Sequence, residues 1–222
     1  MENNWRKYNG AIIPFNPPNI EVKESNSEIQ KIVKDSNVLF ARWISNFDCK
    51  DETNFWYVIH DTPMSMKDYS KNTRNQIRKG LNSFQIKIID RSVVEKEGYD
   101  IYIKSLQSKK MLYKLKSKKN FLNELLGEWE FWGIYHESVL IGYSQNKVIS
   151  DFCDYSTIKI DPYYRRSYPS YALFFLMNQY YLDEKKLAYV SDGARSLVHQ
   201  SNIQDFLIKK FKFRKAFCHL HV

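Results

Sequence analysis

Glycine is scarce in this chain, with 7 among 222 residues, and so are proline (6) and cysteine (3). Each shortage excludes something. Cys49, Cys153 and Cys218 are odd in number, far apart and never in a Cys-x-x-Cys pair, which argues against a disulfide framework and against a thiolate zinc site. No metal site is expected. No Gly/Ser-rich linker and no internal repeat is present. The longest apolar run, Ala172 to Met177, falls far short of the ~18 residues that a membrane span requires. Met1-Glu2-Asn3-Asn4-Trp5-Arg6 lacks the apolar core of a secretory leader, so the expectation is a reduced, cytoplasmic protein.

What is present is aromatic and basic. Aromatic residues make up 16% of the chain and hydrophobic residues 43%, enough for a packed core without staples. The formal net charge is +9. Between Lys67 and Lys119 fifteen Lys and Arg face five Asp and Glu, a net +10, so the rest of the chain is nearly neutral. Lys71, Arg74 and Arg78 share a helix face, and Lys109, Lys110, Lys114, Lys116, Lys118 and Lys119 crowd around Tyr113. Such a segment suits a nucleic-acid backbone or anionic lipid, and equally a solvated surface.

Periodicity divides the chain into an N-terminal arm, residues 1–35, and a single domain over 36–222. Ser27–Lys34 reads as a short helix in the arm. Val38–Ile44 and Phe55–His60 are rich in strand formers and suggest an antiparallel hairpin. A helix capped by Ser70 or Asn72 carries Thr73, Ile77 and Leu81 at helical spacing, weakens at Gly80 and closes at Asn82-Ser83. Phe84–Asp90 alternates as a strand, and Val93–Lys110 and Lys118–Leu126 read helical. Glu130–Tyr135 and Val139–Ser144 are strands joined by the three-residue loop His136-Glu137-Ser138, and Lys147–Phe152 is a candidate short strand. Tyr155–Asp161 is a strand stopped by Pro162. Ser170–Leu182 is a helix apolar nearly all round, hence buried. Leu187–Ser191 is a strand, Ile203–Lys210 a helix and Phe213–Val222 a closing strand. The sum is a mixed α/β (α+β) fold: a central mixed sheet whose antiparallel strands feed a parallel strand–helix–strand crossover, with helices on both faces.

That order of elements, with three passages, resembles the GNAT acyltransferase superfamily. The passages are Trp132–Gly142, Ile158-Lys-Ile-Asp-Pro-Tyr-Tyr-Arg-Arg-Ser-Tyr-Pro-Ser-Tyr-Ala172 and Ser201–Phe213. Tyr69–Leu81 followed by Phe84–Ile89 is similar to a stretch of the Fem-type peptidyltransferases, which share that fold and take amino acids from aminoacyl-tRNA. The resemblance implies an N-acyltransferase using acyl-CoA, acetyl-CoA first, in which a small-molecule or peptide amine attacks the thioester directly in a ternary complex. It equally leaves open a Fem-like enzyme with tRNA as donor partner, and a catalytically inactive GNAT-like binding domain. The oligomeric state stays open, a dimer included.

The resemblance places the donor along Ile158, Lys159 and Ile160 and at the loop Arg165, Arg166, Ser167, Tyr168, Ser170 and Tyr171, with Ser167 as helix N-cap, and adds Asn202 at the start of the last helix. A helix start after a strand offers N–H groups and a dipole to a phosphate, and the arginines add charge-assisted bonds. The sequence departs from the family in having Tyr168-Pro169-Ser170 where glycines are usual, so that one N–H donor is lost, and Lys212 where the family has a closing glycine. Ile208 stands where many members carry an acidic tyrosine. Asp192, at the carboxyl end of a strand, is the candidate base, with Tyr155 and Tyr164 as further catalytic candidates. Asp154 and His199 are weaker candidates, and Arg195 is placed to hold an acidic substrate group. Cys153 and Cys218 are expected to be buried and structural.

Overall fold

The structure is a computed structural model and describes residues 5–8, 10–107, 115–195 and 202–222. In chain order the elements are β1 (Trp5–Tyr8), β2 (Ala11–Pro14), α1 (Asn26–Asp35), β3 (Phe40–Ala41), β4 (Trp43–Cys49), β5 (Phe55–His60), α2 (Lys71–Ser83) and β6 (Gln85–Ile89). Then come α3 (Arg91–Val93), α4 (Tyr99–Gln107), α5 (Lys118–Glu124), β7 (Glu130–His136), β8 (Val139–Ile149) and β9 (Phe152–Ile160). The chain closes with α6 (Pro169–Asn178), β10 (Tyr189–Ala194), α7 (Asn202–Phe211) and β11 (Arg214–His221). Its contacts define two compact units, one of residues 1–59, 194–201 and 214–222, the other of residues 60–193 and 202–213.

In the first unit β1 and β2 form an antiparallel pair, turned at Gly10 (φ 81°), and β3 joins β2 in parallel. Trp5, Ile12, Ile29 and Ala41 bury together against Trp43. The expected helix over 27–34 is α1, closed by a capping box between Ser25 and Glu28. The expected hairpin of the next two strands is not formed. β11 lies between β4 and β5 and pairs antiparallel with both, Phe217 facing Cys49 on one side and Trp56 on the other. Strand formers announce a strand, but its neighbour is chosen by packing, and here the neighbour comes from the far end of the chain.

The second unit is built on the strand order β10-β9-β8-β7-β6, with β6 to β9 antiparallel and β9–β10 parallel. Helices cover both faces. On one, Val94, Ile101, Tyr102 and Phe121 close over Phe131, Leu140 and Tyr143. On the other lies α6, where Leu173, Phe174 and Met177 are fully buried, as an all-round apolar helix must be. Its end unwinds into a π-helical segment, Gln179–Glu184. There the Tyr181 hydroxyl accepts from Trp132 Nε1 (3.1 Å) and Asn146 Nδ2 (3.3 Å), so that the polar atoms of β7 and β8 are satisfied beneath the helix.

α2 packs on α6, with Ile77 and Gly80 buried at the contact, and Ser70 caps it by accepting from the Thr73 N–H at 3.2 Å. The helix expected from Val93 onward begins at Arg91 and includes a π-helical segment, Val94–Gly98. The β7–β8 turn has two residues, Glu137 (φ 56°) and Ser138, and His136 pairs with Val139. The residues expected to make a separate short strand at 147–152 are divided between the end of β8 and the start of β9. Much of the basic segment is internally engaged. Lys104 pairs with Asp161 (3.1 Å), Lys116 with Glu124 (2.6 Å) and Arg91 with Glu95 (2.9 Å), while Arg74 donates to the carbonyls of Lys67 and Tyr69. Lys109, Lys110, Tyr113 and Lys114 lie outside the described residues.

Candidate functional site

The site lies where two parallel strands part. β10 pairs with β9 at Tyr189–Phe152, Val190–Cys153 and Ser191–Asp154, and no further. β9 runs on to Ile160, held on its other edge by β8. A register shift between Gln145 and Lys147 marks the point of parting, since an irregular pair bends a strand away from its neighbour. Among the described residues no strand covers the inner edge of β9 beyond Asp154, so its backbone polar groups face a cavity.

That cavity has a volume of about 600 Å³. Tyr155 to Ile160 of β9 form one wall. Arg165, Tyr168, Ser170, Tyr171 and Phe174 form the second, and Ile203 and Phe206 of α7 the third. Ser105 and Leu106 of α4 close one end, and Asp192 of β10 lies at the divergence. The second wall begins in a 3-10 turn, Pro162–Ser167, capped by Asp161, whose side chain accepts from the Tyr163 N–H at 3.0 Å. Tyr168 then adopts a left-handed conformation (φ 65°, ψ 38°) and stands as the N-cap of α6, with no side-chain cap bond. The expectation that Ser167 is this N-cap is corrected: Ser167 ends the 3-10 turn one residue earlier.

At the start of α6 Pro169 has no N–H, and Tyr171 and Ala172 donate theirs to the Tyr168 carbonyl at 3.1 and 3.5 Å. The left-handed Tyr168 stands in the loop where the family resemblance leads one to expect glycine. Lys212, where a closing glycine is expected, is left-handed as well (φ 60°). The backbone shape that glycine serves is present at both positions, carried by residues that adopt it at a cost.

Asp192 lies within β10 rather than after it. Burial pushes its carboxyl up to about 7, the charge of Asp154 adds to the rise, and a hydrogen bond with Gln204 opposes it. The Tyr155 hydroxyl donates to Asn178 Oδ1 (2.9 Å), and burial raises its pKa well above the usual tyrosine value. Tyr171 is raised too, chiefly by burial.

The structure thus brings together on one cavity Tyr155, Ile158, Lys159, Ile160, Arg165, Tyr168, Ser170, Tyr171 and Asp192. Arg166, Ser167 and Asn202 are not among its lining residues, and Tyr164 packs instead against Phe84 and His136, at 6.0 and 5.2 Å between ring centroids. Arg195 belongs to the first unit, with its guanidinium 4.3 Å from the centre of the Trp56 ring. His199 lies outside the described residues. Sequence reasoning missed Phe174 and Phe206, which read as ordinary apolar helix positions, and Gln204, which carried no signal.

An antiparallel run feeding a parallel pair that splays open, with a helix starting beside the gap, is a GNAT-like fold with a Fem-type resemblance. The structure is similar to the C-terminal domain of a putative lysylphosphatidylglycerol synthetase from Agrobacterium fabrum, with a TM-score of 0.64 at 8% identity over 97% of this chain and 78% of that one. It is also similar to L-PGS from Bacillus licheniformis (TM-score 0.58, 11% identity, 97% of this chain and 78% of that one) and to FemX (TM-score 0.58, 9% identity, 89% and 68%). At such identities the likeness establishes the fold. No protein-family model matches the sequence, and no curated protein matches it.

Proposed function

We propose that the chain is an acyltransferase that moves an acyl group from an activated ester or thioester to an amine, by direct attack within the cavity. The observation that carries this reading is the meeting of an uncovered strand edge with the half-buried Asp192 carboxyl, whose pKa is pushed up to about 7. A base poised near neutrality suits an amine nucleophile. The amine nitrogen bonds to the acyl carbon, its proton passes to the Asp192 carboxylate, and the oxyanion meets N–H groups of β9. The carbon–oxygen or carbon–sulfur bond then breaks, and the leaving atom takes the proton that Asp192 accepted.

Of the two donors, the start of α6 favours aminoacyl-tRNA. A coenzyme A pyrophosphate is bound through N–H groups at such a turn, and here Pro169 lacks one while Tyr171 and Ala172 have spent theirs on Tyr168. The Fem-type resemblance of Tyr69–Ile89, and the likeness in fold to FemX, support the same donor. The acyl-CoA reading is supported by Arg165 and Ser170 on the cavity wall, a guanidinium and a hydroxyl of the kind that bind a phosphate.

The test offers labelled aminoacyl-tRNA and labelled acetyl-CoA in turn, with a panel of amine acceptors, to the wild type and to Asp192→Asn. Transfer from aminoacyl-tRNA that falls by 10²-fold or more in Asp192→Asn is expected. Transfer from acetyl-CoA alone would reverse the choice of donor. Binding of either donor with no transfer to any acceptor would leave an inactive binding domain.

A further inference from the structure

The small sheet of the first unit, β1–β2–β3, has one covered face and one open face. Trp5, Ile12 and Ala41 point to the same side, as the pairs Lys7–Ile12 and Ile12–Ala41 and the alternation of side chains require, and they bury together with Ile29 of α1. Register and alternation then fix what stands on the other side. Arg6 and Tyr8 of β1, Ile13 of β2 with Phe15 just beyond it, and Phe40 of β3 with Arg42 just beyond it share that face. It is open to solvent: Tyr8 is 47%, Phe15 59% and Phe40 39% exposed. Two guanidiniums stand over its rings, Arg6 at 5.9 Å from the centre of Phe15 and Arg42 at 5.9 Å from the centre of Tyr8. The stretches that supply the sheet, residues 5–20 and 36–47, contain no Asp or Glu and carry Arg6, Lys7 and Arg42. The face therefore offers exposed rings and positive charge at the same points, with no carboxylate in those stretches to repel an anion.

We propose that this face binds an unpaired stretch of RNA, its bases stacking on Tyr8, Phe15 and Phe40 and its phosphates meeting Arg6 and Arg42. Unpaired bases stack on aromatic side chains and on arginine, and such contacts tolerate any sequence because every base has a π face. Tyr8 and Phe40 flank Ala11 on the two neighbouring strands, about 10 Å apart at two strand spacings, so one run of nucleotides crossing the sheet meets both. A duplex keeps its bases paired inside and offers no such planes. Arginine beside the ring also separates this face from a lipid anchor: it puts charge where the base and phosphate of one nucleotide need it together. The choice of RNA over DNA rests on the aminoacyl-tRNA reading of the donor; the stacking does not.

The test titrates the full-length protein into a short fluorescent oligouridylate and follows anisotropy at about 50 and 200 mM salt. The deoxy oligomer, a duplex RNA of the same length and vesicles of phosphatidylglycerol are measured beside it. Binding of the single-stranded RNA, weaker at the higher salt, is expected. Affinity falls about tenfold in Tyr8→Ala and in Phe40→Ala and is kept in Tyr8→Phe, which retains the ring and controls for folding. Arg42→Gln lowers both the affinity and its dependence on salt. Single-strand binding unchanged in Tyr8→Ala and Phe40→Ala overturns the inference, as does tighter binding of the duplex or of the vesicles than of the single strand. A preference for the deoxy oligomer overturns the assignment to RNA. Transfer from aminoacyl-tRNA is measured separately: its absence, with ring-dependent RNA binding intact, strikes the donor reading and leaves this surface standing.

Discussion

Gly80 of α2 lies so close to Tyr168 that a β-carbon built on it would be 2.5 Å from the Tyr168 carbonyl oxygen and 2.9 Å from the Ala172 β-carbon. Neither neighbour is the loose end of a flexible side chain. In an ordinary helix interior Gly→Ala gains about 1 kcal/mol. Here overpacking costs about 1–3 kcal/mol, and α2 must move off α6 to make room. Gly80→Ala is therefore expected to lower stability by about 1–2 kcal/mol in urea denaturation. Because the backbone it strikes is that of Tyr168 on the cavity wall, donor affinity falls with it. A variant more stable than the wild type would show that the two helices do not approach in this way.

Half-buried Asp192 links stability to pH. Its carboxyl is raised from an ordinary 3.8 to about 7, so the folded state keeps the proton over a range in which the unfolded chain has lost it. Stability is intact below the unfolded value and declines as pH rises through about 7. Asp192→Asn removes that decline. At 1.36 kcal/mol per pKa unit the gain at pH 8 is at most about 4 kcal/mol, and solvent reaching the cavity reduces it. The expected result is a melting temperature several degrees above the wild type at pH 8 and equal to it at pH 4. Equal melting at both values would remove the raised carboxyl.

How far the site can be read from sequence follows from where its causes lie. α6 was legible because Ala172, Leu173, Phe174 and Phe175 fall on every side of one helix, a pattern that burial explains. The loop before it was legible as a turn, while its left-handed residue was not, because tyrosine seldom adopts that conformation. Gly80 read as a weak point near a helix end, since a close approach of two helices leaves no mark beyond the glycine itself. The placement of β11 between β4 and β5 joins residues some 165 positions apart, as in the Thr53–Cys218 hydrogen bond, and no local pattern encodes it. Asp192 stood out by position, but its raised carboxyl depends on burial within the fold and on the charge of Asp154 on a neighbouring strand.

His60 sets a limit at acid pH. Its ring stacks on Phe213 at 5.2 Å, its Nε2 makes no hydrogen bond among the described residues, and burial lowers its pKa despite the charge of Asp61 and a hydrogen bond to the Lys212 backbone. The folded state thus binds the proton more weakly than the unfolded chain. The resulting stability is present above the ordinary imidazole value of about 6.5 and is lost as pH falls below it. His60→Gln, which cannot titrate, is expected to flatten the fall in melting temperature between pH 7 and pH 5. An identical slope in the two proteins would assign the acid loss to other groups.

Lys212 ends α7 in a left-handed conformation (φ 60°), and the N–H of the next residue, Phe213, reaches back to the Leu207 carbonyl at 3.4 Å. A left-handed residue just past a helix end is usually glycine, because a β-carbon there crowds the following carbonyl. The lysine side chain is exposed and adjoins the buried pair Phe211 and Phe213. Lys212→Gly removes the steric cost of about 1–2 kcal/mol for a left-handed non-glycine residue. It also adds freedom to the unfolded chain, which returns about half of that gain. The expected net effect is a stabilisation of about 0.5–1 kcal/mol, a shift of roughly 1–4 °C for a chain of this size. Lys212→Ala relieves neither strain nor crowding and is expected to match the wild type. A Lys212→Gly variant less stable than Lys212→Ala would mean that α7 does not close at this residue.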